Sequence, residues 1–204
     1  MKSISYFSLS ETNLKDNSFS NFSYFCTMKI PFGDYCIRSY EYSDQEALIK
    51  YANNYNVSRL LRDQFPFPYT KTDAETWLIH ACNQEIETNF VIANKNELIG
   101  AIGINLQEDV NRFSAEIGYW IGEPFWGKSI STEALKVFTK FAFENFNLSR
   151  IFAHVFEGND ASEKVLLKAG YKKEGTLKKA VFKEGKFLDQ YIYAILAEEF
   201  QERI

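Results

Sequence analysis

The chain has 204 residues, of which 46% are hydrophobic and 25% charged, with a formal net charge of −4. That length fits one domain, or one domain with a tail, whose core needs no disulfide or metal. No apolar run approaches the ~20 residues of a membrane span, and a mildly acidic chain lacks the clustered cations that neutralise phosphates. Neither a membrane nor a nucleic acid is therefore expected as a partner. Cys26, Cys36 and Cys82 are odd in number and share no CxxC spacing, as suits reduced thiols in the cytoplasm. His80 and His154 are the only histidines and stand far apart, so no metal is expected. No GxSxG turn is present, which argues against a serine hydrolase.

Residues 1–28 are rich in Ser, Asn and aromatics and show no sustained period. They lack the cationic start and compact apolar run of a signal peptide, and are expected to form a tail outside a domain of residues 29–204. Tyr35 to Tyr40 alternate as a first strand. Ser43 and Glu46 have capping-box spacing and predict a helix through about Asn53, followed by a short helix over Asn56 to Arg62. The Phe65–Tyr69 segment carries Pro66 and Pro68 and cannot be helical. Thr72 and Glu75 predict another capped helix to about Glu85.

Phe90–Ala93 and Leu98–Ile104 read as strands joined by a hairpin at Asn94–Glu97. Ala115 to Ile121 alternate as the next strand. The turn Glu123–Ser131 then leads into a long amphipathic helix with Leu135, Phe138, Phe141 and Ala142 on its apolar stripe. Ile151–Phe156 is a strand, Asn159–Ala169 a helix closed by Gly170, and Thr176–Phe182 with Phe187–Leu196 a final hairpin. This order predicts an α+β fold, a mixed sheet with helices on both faces.

The turn before the long helix is the most informative segment. A short strand-to-helix turn presents free backbone N–H groups and the positive end of the helix dipole, which together favour an anion. Gly127, Ser129 and Ser131 are small where a pyrophosphate would approach, and Lys128 adds charge. The same residues also fit an ordinary helix start with Ser131 as N-cap. In the second segment, Asn159-Asp-Ala-Ser162, Asn159 either caps the following helix or bonds an amide-bearing ligand.

These segments resemble the GNAT acetyltransferases, and more narrowly the branch of bacterial ribosomal-protein N-terminal serine and alanine acetyltransferases. The resemblance runs from about residue 33 to the C-terminus. It is carried by Ala115–Ile121, the loop Trp126–Ser131 with Thr132–Leu135, Asn159–Ser162 through Tyr171, Glu174–Leu177 and Asp189–Tyr193. The Phe65–Thr70 segment ahead of Asp73-Ala-Glu75 is similar to that branch as well. The fold so implied has a mostly antiparallel sheet of six to seven strands.

The resemblance implies direct acetyl transfer from acetyl-CoA to a primary amine, with a protein N-terminus favoured as acceptor and a small amine or polyamine as the other possibilities. It places the pyrophosphate on the N–H groups of Gly127, Lys128, Ser129, Ile130 and Ser131, with Trp126 and Thr132 counted among the cofactor-binding residues beside them. The pantetheine arm lies along the backbone of Tyr119, Trp120 and Ile121, with Asn159 opposite. Glu116 is the candidate general base, its alternative a structural ion pair with Arg112 or a lysine. Ser162 is the candidate donor to the leaving thiolate. Four positions depart from the family pattern. Trp126 stands where the loop has Gln or Arg, Ser129 where it has glycine, Ser131 where it has glycine or alanine, and Val181 where the branch has a second glutamate. These departures keep open a second reading, a GNAT-fold ligand-binding or interaction module with impaired catalysis. The chain is expected as a monomer or homodimer. Tyr55, Phe65, Phe67, Tyr69, Phe182 and Phe187 are expected to line the acceptor pocket, Tyr171 to pack in the core, and His154 to be structural.

Overall fold

A computed structural model of the chain describes residues 28–201. The tail expected over residues 1–28, and with it Cys26, lies outside the described residues apart from Met28. The chain enters the sheet with a hairpin, β1 (Lys29–Phe32) and β2 (Tyr35–Arg38), turning at Gly33 with φ +55°. The alternation at Tyr35–Tyr40 thus ends as a strand at Arg38, and β1 is an addition to the expected set. β1 is one of the sheet's two edge strands, a place where Pro31 costs no ladder bond to a further neighbour.

Helix α1 spans Gln45–Ala52. It is led in by a 3₁₀ turn at Tyr42–Asp44, not by the expected Ser43 cap. The Asp44 carboxylate accepts the Glu41 N–H at 2.9 Å and is gripped by the Arg38 guanidinium. Helix α2 (Tyr55–Ser58) is capped by Asn54, whose side-chain oxygen accepts the Asn56 N–H at 2.8 Å. It stops at Ser58, short of the expected Arg62, and the chain continues in tighter turns, with Leu60 N–H bonded to the Val57 carbonyl and Leu61 N–H to that of Ser58. Helix α3 (Lys71–Cys82) starts two residues earlier than the Thr72–Glu75 pattern suggests. Its capping box is Thr70 with Asp73: the Asp73 carboxylate accepts the Thr70 N–H at 2.7 Å and the Thr70 hydroxyl oxygen accepts the Asp73 N–H at 3.3 Å.

The remaining elements are β3 (Asn89–Ala93), β4 (Leu98–Leu106), β5 (Ser114–Ile121), α4 (Ile130–Asn145), β6 (Arg150–Phe156), α5 (Asp160–Lys168), β7 (Lys172–Lys183), β8 (Lys186–Leu196) and α6 (Ala197–Gln201). The strands form one sheet in the order β1-β2-β3-β4-β5-β6-β8-β7. Every neighbouring pair is antiparallel except β5–β6, which is parallel. The mixed, mostly antiparallel α+β architecture therefore holds, with eight strands in place of six or seven.

Period-two alternation sends each strand's residues to two cores. On one face Leu135, Phe138 and Ala142 of α4 pack over Ile117 and Ile151, joined by Leu166 of α5. Tyr171 is buried there, hydrogen-bonded to Thr139 at 2.8 Å, so its role is packing. On the other face Leu48 of α1 and Leu78 of α3 cover Val91 and Ala101. Phe138 is fully buried and sits among Phe90 and Phe141, with ring centroids 5.4 and 5.8 Å away. Phe138→Ala is expected to lower the unfolding free energy by roughly 3–5 kcal/mol in urea denaturation. A loss below about 1 kcal/mol would show that α4 does not depend on this contact.

Candidate active site

The site begins where β5 and β6 part. Their parallel ladder covers Ser114↔Arg150, Ala115↔Ile151 and Glu116↔Phe152, and then stops. β5 stays paired to β4 up to Ile121, and β6 to β8 up to Phe156. The inner edges therefore diverge over residues 117–121, and a Cβ built on Gly118 would meet nothing within 4 Å. A cleft of about 850 Å³ fills this gap and runs toward α3 and the loop before it. Glu116, Tyr119, Trp120, Asn159 and Ser162, five of the residues singled out in the sequence, line it together. Residues 126–132 do not.

Alternation divides the cleft between the two faces of the sheet. Glu116 and Trp120 share the α1/α3 face, where Trp120 packs edge-on to Phe65 at 5.5 Å. Tyr119 faces α4 and α5 with Ile117 and Ile121. The Glu116 carboxylate oxygen Oε1 accepts from His154 Nδ1 at 2.8 Å and is also bonded by the Arg62 guanidinium. Burial pushes this carboxyl up, but the His154 and Arg62 donors outweigh it, and the net shift is below the ordinary carboxylate range. The partners are thus Arg62 and His154. Arg112, the partner considered from the sequence, instead bonds the Asp109 carbonyl at 2.9 Å.

On the opposite face the Tyr119 hydroxyl lies 2.9 Å from Ser162 Oγ. Burial raises the Tyr119 phenol well above its usual range, so it stays protonated, and either hydroxyl of the pair can be the donor. Asn159 is the N-cap of α5, its side-chain oxygen accepting the Ser162 N–H at 3.2 Å. That leaves its amide N–H₂ free to face the cleft, so capping and ligand contact are compatible.

The turn into α4 differs from the expected one in its cap. The N-cap is Ser129, in the left-handed region at φ +60°, not Ser131. Gly127 precedes it at φ +74° with open space around its Cβ position. Among the described residues, no acceptor takes the N–H groups of residues 127–132, the first intrahelical bond being Glu133 N–H to Ser129 O at 3.1 Å. Ile130 and Thr132 are buried, so they can offer a ligand only their backbone. Lys128 lies over the Phe125 ring at 5.6 Å. Trp126 donates its indole N–H to the Ile121 carbonyl at 2.8 Å, which removes that oxygen from the free strand edge.

Of the aromatics expected in the acceptor pocket, Phe65 and Tyr69 line the cleft. Tyr55, Phe67, Phe182 and Phe187 are exposed outside it. Tyr40, Trp77 and Trp120 complete the aromatic wall instead. The last hairpin still reaches the neighbouring loop, through Lys183 Nζ to Asp63 at 2.8 Å. Sequence reasoning missed Arg62, and did not pair His154 with Glu116. The one signal for His154 was its place on a strand beside the glutamate strand, two residues past the point where pairing ends. Among the described residues no group of three or more His, Cys, Asp or Glu could hold a metal ion.

The model of the acetyltransferase (GNAT) domain matches residues 35–172. The chain is similar to the uncharacterized N-acetyltransferase p20 of Bacillus licheniformis, 28% identical over 170 residues that cover 80% of this chain and 93% of that protein. It is also similar to the ribosomal-protein-serine acetyltransferase of Escherichia coli K12, 35% identical over 105 residues, 52% of this chain and 58% of that one. Among solved structures, Mycobacterium smegmatis RimJ in complex with CoA-disulfide superposes with a TM-score of 0.72 at 26% identity, covering 81% of this chain and 83% of that one.

The left-handed Ser129 carries a backbone strain that glycine would not, of order 1–2 kcal/mol, partly offset by the greater freedom of glycine in the unfolded chain. Ser129→Gly is expected to leave stability unchanged or raise it by up to about 1 kcal/mol, and to bind CoA at least as tightly by calorimetry. A loss of more than about 1 kcal/mol would mean that the serine hydroxyl, and not the backbone, holds the turn.

Proposed function

The chain belongs to the acetyltransferase (GNAT) domain family, and from that premise we propose that it moves an acetyl group from acetyl-CoA to a primary amine by direct attack. The observation that carries this reading is the cleft that passes between β5 and β6, with Glu116 and His154 on one face of the sheet and Tyr119 and Ser162 on the other. Acetyl-CoA supplies an activated acetyl thioester, which needs no covalent help from the protein.

The residues present fit that co-substrate. The N–H groups of residues 127–132 lack protein acceptors among the described residues and lie at a helix N-terminus, where an anion is favoured. They hold the pyrophosphate, with Lys128 adding positive charge. That a serine occupies the left-handed position without disrupting the turn supports the enzyme over the impaired module. The free edge of β5 at Tyr119–Ile121 offers strand-like pairing to the amides of the pantetheine arm, in the manner of an added strand. Asn159 contributes its side-chain amide from across the cleft. Ser162 gives a proton to the departing sulfur, held in place by the Tyr119 phenol behind it.

An amine near pKa ~10 is mostly protonated at neutral pH and has no lone pair to attack with. Glu116, an ion at that pH, attracts the ammonium group and serves its deprotonation. A peptide N-terminus is the favoured acceptor, since the aromatic wall of Tyr40, Phe65, Tyr69, Trp77 and Trp120 suits side chains next to the reacting amine. The relative named for a ribosomal-protein serine points the same way. The free thiols Cys36 and Cys82 agree with a cytoplasmic location, and residues 29–204 are taken as the catalytic domain following a tail.

Glu116→Gln keeps the side chain's shape and removes its charge. The variant is expected to bind CoA as the wild type does, yet lose about 10²–10⁴ in kcat/KM toward peptides beginning with Ser or Ala. A folded variant that stays within about threefold of wild type across pH would remove Glu116 from the reaction, since the usual contribution of such a group is far larger. Absence of CoA binding by the wild-type protein at millimolar concentration would reject the acetyltransferase reading itself.

A further inference from the structure

His154 is held in a way that packing alone does not require. Ile151, Ala153 and Val155 face the α4 core, so the even-numbered residues of β6 face the α1/α3 side, with Glu116. Glu116 is in register with Phe152, and His154 is the next residue up that face, where β6 is already leaving β5. Its ring stands edge-on to Phe152, at 5.4 Å and 84°, and is opposite Ile192 of β8. Nδ1 is bonded to Glu116 Oε1 at 2.8 Å. Nε2 has no hydrogen-bond partner among the described residues, and the side chain borders the cleft. The charged groups facing the ring are Glu116 and Arg62, whose guanidinium shares Oε1. The cleft's other titratable side chains are Tyr40, Tyr69, Asp73, His80 and, on the opposite face of the sheet, Tyr119.

Resting on the transfer reaction proposed above, we propose that His154 Nε2 is the atom that takes the proton from the acceptor amine, and that Glu116 is its positioning partner. A carboxylate that already accepts from the Arg62 guanidinium and from the His154 Nδ1–H is a poor proton acceptor near neutrality, and the depressed position of Glu116 agrees. An imidazole whose Nδ1–H is donated to a carboxylate presents a lone pair at Nε2, with tautomer and orientation fixed. The ammonium N–H bond breaks, the proton forms the Nε2–H bond, and the resulting imidazolium is balanced by the carboxylate beside it. The freed nitrogen lone pair forms the N–C bond to the acetyl carbon as the C–S bond breaks. The sulfur takes the Ser162 hydroxyl proton; the second nitrogen proton leaves to water as Ser162 takes one back. His154 then releases its proton through the open cleft. Arg62, half-exposed at 51%, keeps Glu116 ionised from the other side.

The test uses the full chain with His154→Gln, Glu116→Gln and the double variant. Serine- and alanine-initiated tetrapeptides, spermidine and tyramine serve as acceptor probes. His154→Gln is expected to bind CoA like the wild type, to lose at least about 10² in kcat/KM on whichever probe the wild type acetylates, and to lose the ionisation that limits kcat/KM on the acid side. The double variant is expected to be no slower than His154→Gln alone, because the two residues act as one unit. A His154→Gln variant within threefold of wild type, or with the acid limb intact, overturns the proposal. A readout that needs no acceptor accompanies it. ¹⁵N spectra of histidine-labelled protein at alkaline pH are expected to show the Nδ1–H tautomer of His154 in the wild type, shifting toward Nε2–H in Glu116→Gln. An Nε2–H tautomer in the wild type overturns the assignment. If no probe is acetylated and CoA does not bind, the transfer reaction fails, while the tautomer still decides whether this pair is arranged as described.

Discussion

The parallel ladder between β5 and β6 ends after Glu116↔Phe152, and the site depends on that ending. Each strand is fully engaged on its outer side, β5 by β4 and β6 by β8. Neither can turn back to close the gap without giving up an antiparallel ladder. The inner edges of residues 117–121 are therefore left with unpaired backbone groups, which stay in a folded protein only where water or a ligand's own amides can satisfy them. A gap in the middle of a sheet is thus a binding surface by construction, in a place where the surrounding framework is rigid.

Two consequences follow from elementary strand geometry. Successive side chains on a strand point to opposite faces. Glu116 and Tyr119 therefore serve different sides of the sheet although only two residues separate them. Helices α4 and α5 follow the two diverging strands and lie on the Tyr119 side. This sets the free N–H groups of residues 127–132 and the Asn159–Ser162 turn on that face, while α3 and the loop carrying Arg62 close the other. The Tyr119–Ser162 contact ties β5 to the start of α5 across the gap, and the Glu116–His154 contact ties the two strands directly. Both bonds span the divergence, so they also set its width.

Much of this was legible in the sequence. The alternation at Ala115–Ile121 and the amphipathic stripe of α4 located the strand and the helix that frame the turn at residues 122–129, because burial on one face writes a period directly into composition. The hairpin strand β1 was not legible: four residues containing Pro31 carry too little alternation to stand out. Cap positions slipped because Thr70–Asp73 and Thr72–Glu75 have the same spacing, and only Pro68 and the path of the chain choose between them. At the site, Glu116, Ser162 and Asn159 were found through motifs, whereas Arg62 was not. Its contact with Glu116 spans 54 positions and depends on how the Leu60–Pro66 loop folds over the cleft, which no local pattern encodes. His154 was visible as a residue but not as a partner, since the register of a parallel pair joined by a long crossover is fixed by packing and not by a turn.

The central claim is that the divergence of β5 and β6 holds the amide arm of acetyl-CoA while the turn into α4 holds its phosphates. Hydrogen–deuterium exchange with and without CoA tests it most directly. The account predicts slower exchange at two separate segments on CoA addition, the amides of Tyr119 and Ile121 and those of residues 127–132, with the β7–β8 hairpin unaffected. Protection confined to the Leu60–Pro66 loop or to the hairpin, with the β5 edge exchanging as fast as before, would contradict it.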